Sequence, residues 1–301
     1  MSSYNEQEMS IGAERAVELQ NAERLMKEIM IPPRPTILIE VLNEQSRSDP
    51  DLHKIGRLIS KDVAISAGVL RVVNSSFFGL PRKITSIDHA VRMIGVRSVT
   101  NIVTALMLHS AFSDMKGGVM DEFWSQSSRL AAATSFAARL SPEVPTEEAY
   151  SLGLFANCGV PLMLRKFPEY PSVYERAIAA PDMTFTAYEE SELDTNHTLV
   201  GYIMGKKWDL PESFCQCILR HHDLADYYVD PEIELYGITS YLAVLQLGHY
   251  FSRAYDELPT SYEWIQTGRH VCRFLDIDDD RLDALKTEAL DIISEASGPV
   301  A

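Results

Sequence analysis

The chain has 301 residues, 46% hydrophobic and 23% charged, a balance that excludes extended disorder and allows a sizeable core. The 43 Asp and Glu outnumber the 27 Lys and Arg, for a formal charge of −16. This excess argues against nucleic acid as a partner, because affinity for phosphate backbones comes from clustered cations.

The first residues, Met1 to Ala13, are polar and acidic, unlike a secretory leader. No uninterrupted apolar run reaches the ~20 residues that cross a bilayer, so a cytoplasmic chain with no membrane contact is expected. Cys158, Cys215, Cys217 and Cys272 lack zinc or redox spacing and are read as reduced structural thiols. Ala16, Leu19, Ala22, Leu25 and Ile29 recur at helical spacing, and Ile31-Pro32-Pro33-Arg34-Pro35 ends that helix. Asp49-Pro50-Asp51 predicts a capped helix through Leu58, and Asp62 a second with Ile65, Val69, Val72 and Val73 on one face. Helices through Ile87–Ile94 and Val99–Ala111 follow, and the loop Ser113–Gly118 then divides the chain. Beyond it, periodicity predicts helices over Phe123–Leu140, Thr146–Phe167, His197–Trp208, Pro211–His222, Ile238–Tyr255 and Asp283–Ser297. With no alternating strand, the predicted fold class is all-α, in two packed helical subdomains. The division is an N-terminal helix at 1–30, subdomains at 31–112 and 119–256, and a helical extension at 257–301. Acidic Asp276–Asp280 lacks the glycine and ligand spacing of a calcium loop and reads as a solvated turn.

Several motifs fall in a fixed order. Ile31-Pro32-Pro33 is followed by Leu70-Arg71-Val72-Val73-Asn74-Ser75-Ser76-Phe77-Phe78-Gly79, then Ile84-Thr85-Ser86-Ile87, Ala90-Val91 and Ile94-Gly95. This order resembles the N-terminal part of the HDOD family. The second subdomain resembles the HD-type helical bundle of metal phosphohydrolases in degenerate form. The resemblance places the first metal-binding His at Gln126, the adjacent His-Asp pair at Ala156 and Asn157, and a later Asp near Val244. These four positions are expected to converge.

The chemistry of these replacements is plain. Alanine has no donor, and neutral amide oxygens are weak ligands for a charge-dense cation. Without metal nothing lowers the pKa of an attacking water or polarises a phosphoryl oxygen. No metal and no cofactor are therefore expected, and no catalytic residue is assigned.

Three histidines survive. His197 opens one helix and His221-His222 close another, in a pattern that in HD-GYP relatives carries additional metal ligands. They form either a residual pocket for a small ligand or lone metal, with zinc or nickel favoured by ligand type, or inherited packing. Asn74, Ser75, Phe77, Phe78 and Gly79 form a candidate interaction turn, although Asn and Ser also hold turns through their own side chains. The resemblance implies a non-enzymatic bacterial signalling module that binds other signalling proteins. The alternatives are a phosphohydrolase with an altered metal set, acting on nucleotides or cyclic dinucleotides, and a nucleotide sensor that does not hydrolyse its ligand.

Overall fold

The computed structural model describes residues 29–74, 82–115, 117–224 and 238–296, and every regular element among them is helical. The N-terminal block comprises α1 (Thr36–Gln45), α2 (Leu52–Ser60), α3 (Val63–Val73) and α4 (Ile87–Ala111). Side-chain caps set the starts: Asp51 accepts from Lys54 N at 2.9 Å, Asp62 from Ile65 N at 3.0 Å and Ser86 from His89 N at 3.2 Å. The cap of α2 is thus Asp51, with Asp49 and Pro50 outside the helix. Gly95, at φ 82° and ψ 163°, kinks α4 where the sequence predicts separate helices.

α4 is long and apolar enough to cross a membrane by length and composition, an exception to the expectation drawn from uninterrupted runs. More than half of its most apolar window, 56%, is buried inside this fold. The prediction missed it because Arg92 and Arg97 interrupt the apolar run.

The second block comprises α5 (Gly118–Ala137), α6 (Thr146–Phe155), α7 (Val160–Lys166), α8 (Tyr170–Ala179), α9 (Phe185–Leu193), α10 (His197–Lys207), α11 (Glu212–Arg220) and α12 (Thr239–Tyr255). It is closed by α13 (Tyr262–Phe274) and α14 (Asp279–Ala296). The predicted helix over Thr146–Phe167 is two helices, separated by a turn at 156–159, with Pro161 in the first turn of α7. At the start of α14, Asp278 accepts from Arg281 N at 2.8 Å, a helix-start role for the acidic run.

One apolar cluster runs from Ile29 and Leu38 through α2–α4 to Phe155, Trp208 and Ile218, continuous across the 113–118 loop. Trp208 is fully buried, and its Nε1 donates to Pro32 O at 3.0 Å, which ties the paired prolines to the end of α10. A second cluster joins α5, α12, α13 and α14, and a third lies between α6, α11 and α12.

Candidate functional site

The site forms where the ends of short helices meet. Asn196 caps α10 by accepting from Leu199 N at 2.8 Å, and so fixes the backbone at His197. His221 and His222 leave the C-terminus of α11 as its cap and the residue beyond. One ring nitrogen from each of His197, His221 and His222 lies within 4.8 Å of the other two. His249, from α12, stacks on His221 with centroids 5.5 Å apart.

The outer partners decide which nitrogens are free. His197 Nδ1 lies 2.7 Å from Glu189 Oε2, which also accepts from His197 N at 3.0 Å, and Tyr170 OH donates to Glu189 Oε1. His222 Nδ1 lies 3.3 Å from Glu263 Oε1, which accepts from Phe185 N at 2.7 Å. His221 Nδ1 lies 2.8 Å from Ile218 O. Each acceptor places the ring proton on Nδ1 and leaves a lone pair on Nε2. The Nε2 atoms of His197, His222 and His249 are shut off from solvent without a hydrogen-bond partner. His221 Nε2 lies 3.2 Å from Asn157 Oδ1, an acceptor facing a nitrogen whose ring proton is held at Nδ1. Because that nitrogen bears no proton, Asn157 must turn its NH2 end toward it.

Burial first, and the neighbouring imidazoles second, hold His221 well below the ordinary histidine value. Burial lowers His222 as well, against the opposing pull of Glu263, and pushes His249 down to about 3. Burial also pushes Glu263 up, but hydrogen bonds from His222 and Phe185 N outweigh it and leave the carboxyl at about 2. Near neutral pH, uncharged rings therefore face ionised Glu263.

The structure brings only part of the predicted set together. Gln126 and Asn157 line one cavity of about 80 Å³ with Tyr174, His222, Gln246 and His249. Ala156 is fully buried among Leu130, Leu152, Phe214 and Leu242, and does not line that cavity. The expectation for Val244 is corrected: it packs with Ala133, Phe136, Phe251 and Ile293. At ~100° per residue, Gln246 lies on the opposite side of α12 from Val244, and His249 shares the face of Gln246. Glu189, Glu263, Gln246 and His249 are site residues that the sequence reading missed. His249 alone carried a recognisable signal, as a histidine one turn beyond a helical polar residue.

Asn74 has a local role at the C-cap of α3. Its Nδ2 donates to Leu70 O and Ile84 O, each at 2.7 Å, and its Oδ1 accepts from Ile84 N at 2.7 Å. Ser75, Phe77, Phe78 and Gly79 of the candidate interaction turn lie outside the described residues.

Comparison with known proteins agrees with this architecture. An uncharacterised protein of Treponema pallidum (strain Nichols) is 27% identical over 199 residues, which is 64% of this chain and 38% of that protein. The chain thus spans well under half the length of that relative. The fold is shared with an HDOD domain protein of unknown function from Geobacter sulfurreducens (TM-score 0.69, 21% identity, 95% of this chain and 97% of that one). It is also shared with a protein from Shewanella amazonensis SB2B named "Putative metal-dependent phosphohydrolase" (TM-score 0.65, 19% identity, 93% and 99% covered). The HDOD domain model matches residues 31–224, more than half of the sequence, and the chain belongs to the HDOD family.

Proposed function

We propose that this HDOD protein is a cytoplasmic regulatory module that acts without hydrolysis, by binding other signalling proteins or a small ligand. The observation that carries the reading is the state of the amides and carboxylates around the histidines. Gln126 Oε1 accepts from Tyr174 OH at 2.8 Å, and Gln246 Nε2 donates to His221 O. The two carboxylates in the cavity wall are also engaged, Asp256 with Arg129 at 2.9 Å and Glu263 with His222. A metal pair of the HD kind needs a bridging carboxylate and an adjacent imidazole, and Asn157 and Ala156 supply neither. The side chains present do not fit that group.

Size supports the same reading. A cavity of about 80 Å³ is far below the ~300–1,000 Å³ of sites that enclose organic ligands, so it suits an ion or a few waters rather than a nucleotide. The convergence of His197, His221 and His222 is the one feature that favours a phosphohydrolase with an altered metal set.

Hydrolysis assays that resolve the nucleotide products by chromatography separate the two, since cleaving a cyclic dinucleotide releases no inorganic phosphate. With manganese, iron or magnesium added, nucleotides and cyclic dinucleotides should show no turnover that scales with protein concentration. Metal-dependent turnover that disappears in His221→Ala would overturn the reading.

A further inference from the structure

We propose that His197, His221 and His222 hold one zinc-class divalent cation through their Nε2 atoms, with Glu189 and Glu263 as outer, charge-balancing carboxylates. The site is mononuclear and built from neutral nitrogen donors, unlike a carboxylate-bridged pair. It goes beyond the regulatory reading and does not depend on it.

Three observations converge. The first is the donor arrangement. Glu189, Ile218 O and Glu263 each fix a proton on Nδ1, so all three rings present Nε2 lone pairs. Two of these lone pairs, on His197 and His222, are buried with nothing to accept from. Unsatisfied buried polar atoms are costly, and their convergence on one point calls for an occupant with an electron-pair vacancy or a donor proton.

The second is spacing. Zinc–nitrogen bonds of about 2.0–2.1 Å in a tetrahedron place the nitrogens ~3.4 Å apart. One nitrogen of each ring already lies within 4.8 Å of the other two, so the three rings are close enough to share one cation after small rotations. His221 Nε2 must release Asn157 as its ring turns. Of the three rings, His222 also lines the cavity shared by Asn157 and His249.

The third is charge. Glu189 is fully buried and Glu263 nearly so, and among the described residues neither forms an ion pair with Lys or Arg. Arg253 lines the same cavity and donates to the carbonyls of Ile178 and Pro259, and its charge attracts Glu263 without forming a direct ion pair. A dication at the three nitrogens would lie one imidazole away from both carboxylates. Carboxylate–histidine pairs of this kind orient metal-bound rings and raise their basicity. Neutral imidazoles select zinc, cobalt, nickel or copper over magnesium, calcium or manganese, which prefer oxygen. Such a cation would tie α9, α10, α11 and α13 together, because Glu263 also holds Phe185 N at the start of α9.

The test is titration of metal-stripped full-length protein with Co²⁺, whose tetrahedral nitrogen complexes absorb strongly in the visible. One equivalent should saturate the tetrahedral spectrum, Zn²⁺ should displace it, and Zn²⁺ should raise the melting temperature. His197→Ala, His221→Ala and His222→Ala should abolish the tetrahedral bands. Glu189→Gln and Glu263→Gln should keep the one-equivalent endpoint with affinity ~10–100-fold weaker, and exposed His53→Ala should change nothing. Circular dichroism establishes which variants fold. If an alanine variant does not fold, the milder His222→Gln and the two Glu→Gln variants decide. Absence of a saturable tetrahedral spectrum in the wild type, or unchanged affinity in folded ligand variants, overturns the site. Metal-dependent nucleotide hydrolysis would instead overturn the regulatory reading and leave this site standing.

Discussion

Replacing Gly159 with alanine should lower stability by about 3 kcal/mol or more, enough to drop the melting temperature by on the order of 10 °C. A Cβ at this position would lie 2.0 Å from His197 O and 2.7 Å from Gly201 N. Both are backbone atoms of α10, so the clash can be relieved only by moving that helix away from the 156–159 turn. Gly56 makes the contrast. Its added Cβ would meet Asp88 Oδ1 at 1.9 Å, but that carboxylate is the end of a partly exposed side chain and can swing aside. Gly56→Ala should therefore cost under about 1 kcal/mol. Thermal melts of the two variants check the pair. Equal, small losses would mean that α10 does not seat His197 against this turn.

Acid should unfold the metal-stripped protein well above the pH at which its carboxylates titrate. His221, His222 and His249 have folded-state pKa values below the ordinary value, His249 at about 3. Between that value and an unfolded pKa of about 6.5, the unfolded chain binds protons that the folded chain refuses. Stability is therefore fully present above about 6.5 and is lost as pH falls. Each histidine contributes a slope of about 1.4 kcal/mol per pH unit once well below that value. His221 and His249 together reach about 3 kcal/mol per unit and His222 adds in the same direction, comparable within two units to the ~5–15 kcal/mol that holds a domain folded. Asp256 acts in the opposite sense, since burial raises its carboxyl above 3.8, but it is one group against three. Denaturant melts from pH 7 to 4.5 should show the slope, and His249→Gln should reduce it by about a third to a half. A flat profile would mean that these rings are already protonated or solvated in the folded state.

How much of this was legible in the sequence depends on which interactions are local. The helices of both blocks follow from 3.6-residue periodicity and from caps such as Asp62, Ser86 and Asn196, which act within three residues. His197, His221 and His222 stand out because imidazoles at helix ends form a compact pattern. Their partners do not stand out. Glu189 is one of several acidic residues in an amphipathic stretch, and Glu263 lies 41 residues beyond His222, in a segment without a motif. Only the packing of α9 against α10, and of α13 against α12, brings these carboxylates to the rings. The misplacement at Val244 has a simpler origin. A two-residue register error on a helix is a rotation of ~200°, so the residue named falls in the apolar core while Gln246 faces the cavity. The Trp208–Pro32 hydrogen bond, 176 residues apart in sequence, is equally invisible to local pattern.

Side chains at Gln126, Ala156 and Asn157 that cannot hold a metal pair should leave that pair absent even from crystals grown in metal. The most direct measurement is anomalous diffraction at the metal edge from crystals grown separately with zinc and with manganese. A single zinc peak bounded by His197, His221 and His222 is expected, with no manganese peak at Gln126 or Asn157. Two peaks ~3.5–4 Å apart, the spacing of hydrolytic two-metal centres, with Asn157 ligating either one, would contradict it.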